Sequence, residues 1–324
     1  MTKLVGMLVS CVLLALTHAV AFSAQSTTSP ATVTIAYTSV SPQYAPVWIA
    51  KEAGFFSKNG VNAQLVYMRG GILATQALVS HDVQFINAGG GGGAVLGGAE
   101  IFIVASPINQ EPQVLVARRD IKEIAQLKGR KLAVNSLAGP AMLSLKMILA
   151  FSGLDPERDV SYLAVGPSAS RFGALQLGQV DATTLAPPFT LAARKAGYSF
   201  FENIPGMKEG ELPNAALITS RKFFETEPLA CEAVIKSVIE GIHFYKTEKV
   251  KTSAIVKKYM KLENAEDVQE SYNFYVKLLA EKPYPTAKGI QTILDWSKRT
   301  DARNANPAQF MGNASALAVR AGIP

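Results

Sequence analysis
The feature that most narrows what this chain can fold into is a repeated alternation of short apolar strands with amphipathic helical stretches, followed by a segment that is helical only. Val33 to Tyr37 is β-branched and apolar; a turn-rich SVSPQ follows, and then an apolar-periodic stretch from Ala45 to Ala53 that Gly54 can cap. The pattern continues with strand Gln64 to Met68, helix Ile72 to Val79, strand Val83 to Asn87, a glycine-rich loop, a short helix to Leu96 and strand Ile101 to Ala105. After the strand-like Val114 to Ala117 a second series begins: helix Ile121 to Leu127, strand Lys131 to Asn135, helix Pro140 to Ser152, strand Val160 to Val165, helix Ser168 to Leu177, strand Ala182 to Leu185 and helix Phe189 to Ala196. One more apolar strand, Ala215 to Thr219, precedes helices at about 228–247, 250–260, 266–281 and 286–299. Such alternation predicts open, mainly parallel sheets flanked by helices, with the helical tail packed on a lobe already built.

Length turns one α/β unit into two. The 324 residues exceed what one core usually serves, since domains cluster near roughly 100 to 150 residues. An internal similarity supports related lobes: Ala77-Leu78-Val79-Ser80-His81-Asp82-Val83-Gln84-Phe85 lines up with Ala174-Leu175-Gln176-Leu177-Gly178-Gln179-Val180-Asp181-Ala182, a helix end feeding a strand each time. The expected organisation is a discontinuous lobe 1 (residues 32–118 plus 214–324), a lobe 2 (residues 119–213), hinge strands near Val114 to Ala117 and Ala215 to Thr219, and a cleft between the lobes.

The N-terminus stands apart. Residues 1–24 carry one lysine, an apolar run from Leu4 to Leu16 and Ala19-Val20-Ala21, the small-x-small pattern accepted by signal peptidase. They predict a secretory signal peptide cut near Ala21 or Ala24, with a retained anchor as the alternative, and hence a periplasmic protein. Beyond Ala21 the chain holds one cysteine, Cys231, and two histidines, His81 and His243. No disulfide scaffold is available, and neither histidine has a second histidine or cysteine nearby in sequence to share a metal. The formal charge of +7 is spread over both lobes, so nucleic acid is not an expected partner. No GxSxG elbow or P-loop appears, so no catalytic residue, metal or cofactor is assigned.

The order APVWIAKEAGFF, ALVSHDVQFINAG, LKGRKLAVNSLAGPA, SGLDPERDVSYLAVG and ALQLGQVDATTLAPPF resembles the nitrate/sulfonate/taurine class of ABC-transporter substrate-binding proteins, over about residues 32–300. That class shares its fold with the thiamine-pyrimidine synthases. The resemblance implies the periplasmic binding protein type II fold: two α/β lobes on a hinge, a small solute (sulfonate, nitrate or thiamine precursor) enclosed between them, and delivery to an ABC permease in the inner membrane by a monomer. The synthases depend on a cysteine-rich iron motif that Cys231 alone cannot supply, which disfavours that enzyme. A lyase on the same fold and a sensory binding protein are the alternatives.

In open α/β sheets, ligands lie beyond the carboxyl ends of strands, where loops enter helices. Four loops qualify here. The first offers Ser39, Gln43 and the amphipathic Tyr44, suited to orienting a polar solute, and Gly70 follows the next strand. The second is Asn87-Ala88-Gly89 leading into Gly90 to Gly93, where five successive glycines suggest close approach of a ligand to the main chain. Its GxGxxA match is trivial in a glycine run and opens no dinucleotide fold. The third is Asn135 to Ala141, in which Pro140 fits the first helical position and Ala138, Gly139 and Ala141 present backbone to the cleft. Relatives that bind oxyanions commonly place Ser or Thr here, so these residues favour an organic ligand. The fourth is Leu185 to Phe189: Pro187 and Phe189 are apolar candidates, Phe189 pairing with Tyr44 to sandwich the ligand, while Arg69 and Arg171 are the candidate cations. On this reading Tyr44→Ala and a bulky residue at Gly139 each weaken binding without unfolding the chain.

Overall fold
The computed structural model describes residues 30–89, 100–137, 139–202, 204, 211–296 and 305–312. The signal-peptide segment, most of the glycine run and Ala138 lie outside them.

Two five-stranded sheets form the framework. The first contains β1 (Ala31–Tyr37), β2 (Val61–Tyr67), β3 (Phe85–Ala88), β4 (Ile101–Ala105) and β10 (Ala216–Ser220) in the order β2-β1-β3-β10-β4. The second contains β5 (Val114–Ala117), β6 (Lys131–Val134), β7 (Ser161–Ala164), β8 (Ala182–Leu185) and β9 (Ser199–Phe201) in the order β7-β6-β8-β5-β9. Four strands of each sheet run one way, and the fifth is the strand that arrives from the other lobe: β10 pairs antiparallel with β3 and β4, and β5 with β8 and β9. The mainly parallel sheets expected from the alternation are therefore present, each with one guest strand. A boundary at residue 118 would leave β5 with lobe 1, whereas its hydrogen bonds put it in the second sheet. The chain crosses earlier, because the all-apolar VLVA satisfies its backbone only between β8 and β9. The two crossovers meet as a short ladder, Ile108 N–H to Asn214 O at 3.3 Å, Asn214 N–H to Ile108 O at 2.6 Å and Leu212 N–H to Asn109 O at 2.9 Å.

The internal similarity holds at the level of single hydrogen bonds. Helix α3 (Gly71–Val79) leads into β3, and α5 (Ser168–Gln176) leads into β8. His81 N–H donates to Leu78 O at 3.2 Å, as Gly178 N–H does to Leu175 O at 3.1 Å, and φ is 67° at His81 and 68° at Gly178. Gln84 accepts from Thr34 N–H on β1 at 2.9 Å, and the equivalent Asp181 accepts from Lys131 N–H on β6 at 3.0 Å. One lobe thus puts glycine at the left-handed turn where the other puts an exposed histidine. Left-handed backbone costs an L-residue about 1–2 kcal/mol, so His81→Gly is expected to be neutral or stabilising by up to about 1 kcal/mol. The β-branched His81→Val should destabilise by about 1–2 kcal/mol. Urea melts of the two variants check the order.

Helices cover the sheets where their apolar stripes fit. Helix α1 (Ala45–Glu52) buries Val47, Trp48, Ile49 and Ala50, and Gly54 turns the chain out of it at φ 74°. The long α8 (Pro228–Thr247) turns Cys231, Val234, Ile235, Val238, Ile242 and Tyr245 inward, a spacing of three and four residues that makes one continuous buried stripe. Burial pushes the Cys231 thiol up to about 12, with Glu232 adding to it, so this cysteine is an inert packing residue. The tail helices α9 (Lys249–Met260) and α10 (Ala265–Leu278) dock on the first lobe through aromatic rings: Trp48 stacks on Tyr259 with centroids 4.7 Å apart, and Tyr245 on Tyr272 at 5.4 Å. In the second lobe α4 (Pro140–Phe151), α5 and α6 (Phe189–Lys195) pack around Leu115, Leu132, Leu145, Phe172 and Leu185.

Candidate functional site
Between the sheets lies a cavity of about 250 Å³ lined from both lobes. The first lobe supplies the loop after β1 (Thr38, Ser39, Ser41, Gln43, Tyr44), the start of α3 (Gly71, Ile72, Thr75, Gln76), Ala88 and Gly89 after β3, and Tyr275 from α10. The second supplies Asn135, Ser136, Gly139 and Ala141 after β6, Ser168 and Arg171 at the start of α5, and Ala186 after β8. The crossovers close the floor with Glu111, Gln113 and Asn214. These loops all leave the carboxyl ends of strands, which is where parallel sheets leave room for a ligand.

The lobes touch on both flanks of the opening. Arg69 Nη2 donates to Val165 O at 3.1 Å, Thr190 Oγ1 donates to Glu270 Oε1 at 3.1 Å, and the rings of Phe151 and Trp296 meet edge-on at 6.2 Å.

The local geometry follows from the residue types. Tyr44 ends a short 3-10 turn, Pro42–Tyr44, and its hydroxyl shares a hydrogen bond with Thr38 Oγ1 at 3.1 Å. Only 2% of Tyr44 is exposed, because its ring packs with Trp48, Ile108 and Ala186; burial raises its pKa. Gly139 precedes α4 at φ 97°, a conformation open to glycine alone at low cost, and Pro140 then starts the helix without needing a donor partner. The starts of α3, α4 and α5 all reach the cavity, through Gly71, Ala141 and Ser168. Such helix ends favour ligand atoms that accept hydrogen bonds.

Arg171 is 2% exposed and held from every side. Its Nε donates to Thr183 Oγ1 at 3.2 Å and Nη1 to Gly166 O at 2.8 Å; Nη2 reaches Gln113 Oε1 at 2.7 Å, Thr184 O at 2.9 Å and Ser168 Oγ at 3.1 Å. Burial lowers its pKa to about 10, partly offset by Glu111, so it stays cationic at neutral pH. Glu111 accepts from Gln113 N–H at 3.2 Å and from Asn214 Nδ2 at 3.0 Å. Burial is the largest influence on its carboxyl and lifts it to about 7, against the lowering by Gln113, Arg171 and Asn214.

Of the residues expected from sequence, Ser39, Gln43, Tyr44, Ala88, Gly89, Asn135, Gly139 and Ala141 come together on this cavity. Gly70 sits one residue before the lining Gly71, as the cap of α3. Asn87 is 1% exposed, and its amide donates to Ala215 O at 2.7 Å and Ala216 O at 3.3 Å, so it fastens β3 to the incoming β10 instead of facing the cavity. Pro187 is not among the lining residues, and Phe189 packs in the second lobe against Phe172 with centroids 6.4 Å apart. The ring gains more by burial there than at a wet cleft wall, and no sandwich with Tyr44 forms. Arg69 bridges the lobes outside the cavity. Since Tyr44 is part of the core, Tyr44→Ala removes packing as well as a binding surface and does not isolate ligand contacts. Glu111, Gln113, Asn214 and Tyr275 were not expected from sequence. A signal for three of them exists: EPQ precedes the guest strand β5 and PNA precedes the guest strand β10, placing polar residues beside a proline at both crossovers.

Two α/β lobes with a solute-sized cleft between them define a periplasmic-binding-protein fold. A profile of the NMT1-like family matches residues 26–258, and the chain belongs to that family. The nitrate/nitrite binding protein NrtA of Nostoc sp. is 24% identical over 231 residues, covering 61% of this chain and 50% of that protein, so the chain spans about half of NrtA. The putative binding protein YtlA of Bacillus subtilis is 22% identical over 267 residues, 78% of this chain and 80% of its own. Among solved structures, the alkanesulfonate-binding protein SsuA of Xanthomonas axonopodis, bound to MOPS, superposes with a TM-score of 0.68 at 18% identity, covering 89% of this chain and 98% of SsuA. The periplasmic nitrate-binding protein NrtA of Synechocystis gives 0.71 at 16% identity, covering 90% and 89%. The desulfurization enzyme DSZB shares the fold more distantly, at 0.53 and 13% identity over 90% and 93%. The NrtA and SsuA relatives are named as nitrate/nitrite-, nitrate- and alkanesulfonate-binding proteins, and no helix among the described residues is long and apolar enough to cross a membrane.

Proposed function
We propose that this chain is an exported receptor that captures a small organic or oxyanion solute in the interlobe cleft and presents it to an ABC importer in the inner membrane. One observation carries the reading: the cavity is walled by strand-end loops of both lobes and floored by the two crossovers, so a solute touches every part that moves when the lobes open. Contacts to both lobes give a ligand greater affinity for the closed form, which is what shifts the equilibrium toward it. The helix ends at Gly71, Ala141 and Ser168 and the hydroxyls of Ser39 and Ser41 favour a solute with at least one carboxylate, sulfonate or carbonyl group. The alkanesulfonate and nitrate relatives support that class.

The test is release of bound solute. Mature protein purified without a denaturing step is expected to yield a stoichiometric small molecule on denaturation, read by mass spectrometry, and re-addition of that molecule should raise the melting temperature by mass action. Chemical turnover of the released molecule by the native protein would sink the receptor reading.

A further inference from the structure
Glu111 is a carboxyl at the floor of the cavity, and nothing said so far gives it a role toward the solute. Neutral amides donate to each of its oxygens, Gln113 N–H at 3.2 Å and Asn214 Nδ2 at 3.0 Å. A carboxylate oxygen accepts more than one bond, so each keeps acceptor capacity, and Glu111 lines the cavity. Among the described residues no Lys or Arg forms an ion pair with it. The nearest cation, Arg171, turns its Nη2 to Gln113 Oε1 at 2.7 Å and to Thr184 O at 2.9 Å. A half-buried carboxylate whose hydrogen bonds come from neutral donors, with Arg171 acting on it only by its charge, is costly to keep ionised, and it takes up a proton or recruits a cation.

The acceptor-seeking wall of the cavity lies elsewhere, at the starts of α3, α4 and α5. The lining therefore has two chemically opposite parts: helix ends and hydroxyls that want a ligand acceptor, and one carboxyl that wants a ligand donor.

We propose that the captured solute carries, besides its acceptor group, an ammonium or amidine nitrogen, and that Glu111 is the residue that selects it. The proposal rests on the receptor reading above and narrows its solute class to amphoteric small molecules. A bare oxyanion offers the Glu111 carboxylate no cation to pair with. When a cationic nitrogen enters, any proton on Glu111 leaves to solvent and the carboxylate pairs with the ligand.

The groups packed around Glu111 are Arg171, Tyr44 and Tyr275 on the cavity side, and Glu211 and Glu202 across the neighbouring hollow behind the crossovers. Arg171 does not titrate near neutrality, and burial raises both tyrosines away from it. Burial lifts the Glu111 carboxyl to about 7, so it is the group of this set that changes charge near neutrality. Affinity for a permanently cationic ligand should then fall about tenfold between about pH 8 and about pH 6.

Matched pairs of solutes test this: β-alanine with propionate, para-aminomethylbenzoate with para-methylbenzoate, and para-amidinobenzoate with benzoate. Each is titrated by calorimetry into wild-type protein and into Glu111→Gln, which keeps the shape and an acceptor for Gln113 N–H. The expected result is that nitrogen-bearing members bind at least about tenfold tighter than their partners, and that Glu111→Gln, still folded by its melting curve, abolishes this preference. The wild-type pH series needs no variant and gives a second reading. Equal affinity within pairs, a preference that survives Glu111→Gln, affinity that does not fall toward about pH 6, or no nitrogen-bearing binder at all would overturn the assignment. If propionate, benzoate or para-methylbenzoate binds as tightly as its nitrogen-bearing counterpart, the Glu111 proposal fails while the receptor reading stands; solute turnover defeats the receptor reading itself.

Discussion
Replacing Gly241 by alanine is expected to lower the melting temperature by about 2 to 3 °C, the shift for a net loss of about 1–2 kcal/mol in a chain of this size. Gly241 is buried in the middle of α8 where that helix crosses α1, and a methyl group there would stand 2.2 Å from the backbone oxygen of Pro46. Two effects oppose each other. Alanine gains about 1 kcal/mol of helix propensity over glycine. The contact is more than an ångström too short and falls on backbone, so no side chain can swing aside; α1 and α8 must separate, and overpacking of that kind costs about 1–3 kcal/mol, occasionally more. The clash prevails because the separation also loosens Val47, Ala50, Val234 and Val238, which share one core cluster. Helix α1 follows directly from Tyr44, so solute affinity should fall with stability. Calorimetric scans of wild-type protein and Gly241→Ala decide it, and an unchanged melting temperature would show that the helices part without penalty.

That crossing is also an instance of what the sequence did not disclose. The alternation of strands and helices was legible because the period of apolar residues changes between two and about three and a half at nearly every element, and the four strand-end loops that reach the cavity follow from it. The duplication was legible because the helix-to-strand turn at His81 and at Gly178 is a local structure with local residues. Three things were not. The side to which β5 belongs depends on partners almost seventy residues away, Ala182 to Leu185. The close approach at Gly241 depends on a helix almost two hundred residues earlier. The floor of the cavity joins Glu111 to Asn214, which are 103 positions apart. Each of these is a long-range pairing, and periodicity carries no information about which distant segment a polar residue will meet. Phe189 is the converse case: a loop position suggested a ligand contact, and the nearby apolar surface of Phe172 captured the ring.

Loss of the Arg171 guanidinium should have the largest effect on the cleft itself. Arg171→Met is expected to destabilise the second lobe by about 3–5 kcal/mol, the range for removing one partner from a buried charged network. The reason is in the geometry. The single guanidinium satisfies two backbone oxygens, Gly166 O and Thr184 O, and the side chains of Gln113, Thr183 and Ser168. Methionine fills the volume and donates nothing, so Gly166 O and Thr184 O lose their charged donor, while Gln113 Oε1 keeps only Thr184 Oγ1 at 2.9 Å. Arg171→Lys keeps the charge but replaces a planar fork of five donors by one compact group, so it should recover only part of the loss. The same substitution acts on Glu111, whose carboxyl is held down in part by the Arg171 charge. Without it Glu111 should titrate above about 7, so that at neutral pH more of it is protonated and the affinity for a cationic solute drops further than unfolding accounts for. Chemical denaturation and calorimetric titration of the two variants separate these effects: a stability loss in the order Met greater than Lys, with the pH midpoint of solute binding moved upward in Arg171→Met alone, is the expected pattern. A normal melting curve for Arg171→Met would mean that water replaces the guanidinium at Gly166 and Thr184, and an unmoved midpoint would mean that Arg171 is too well screened by Gln113 to govern the Glu111 proton.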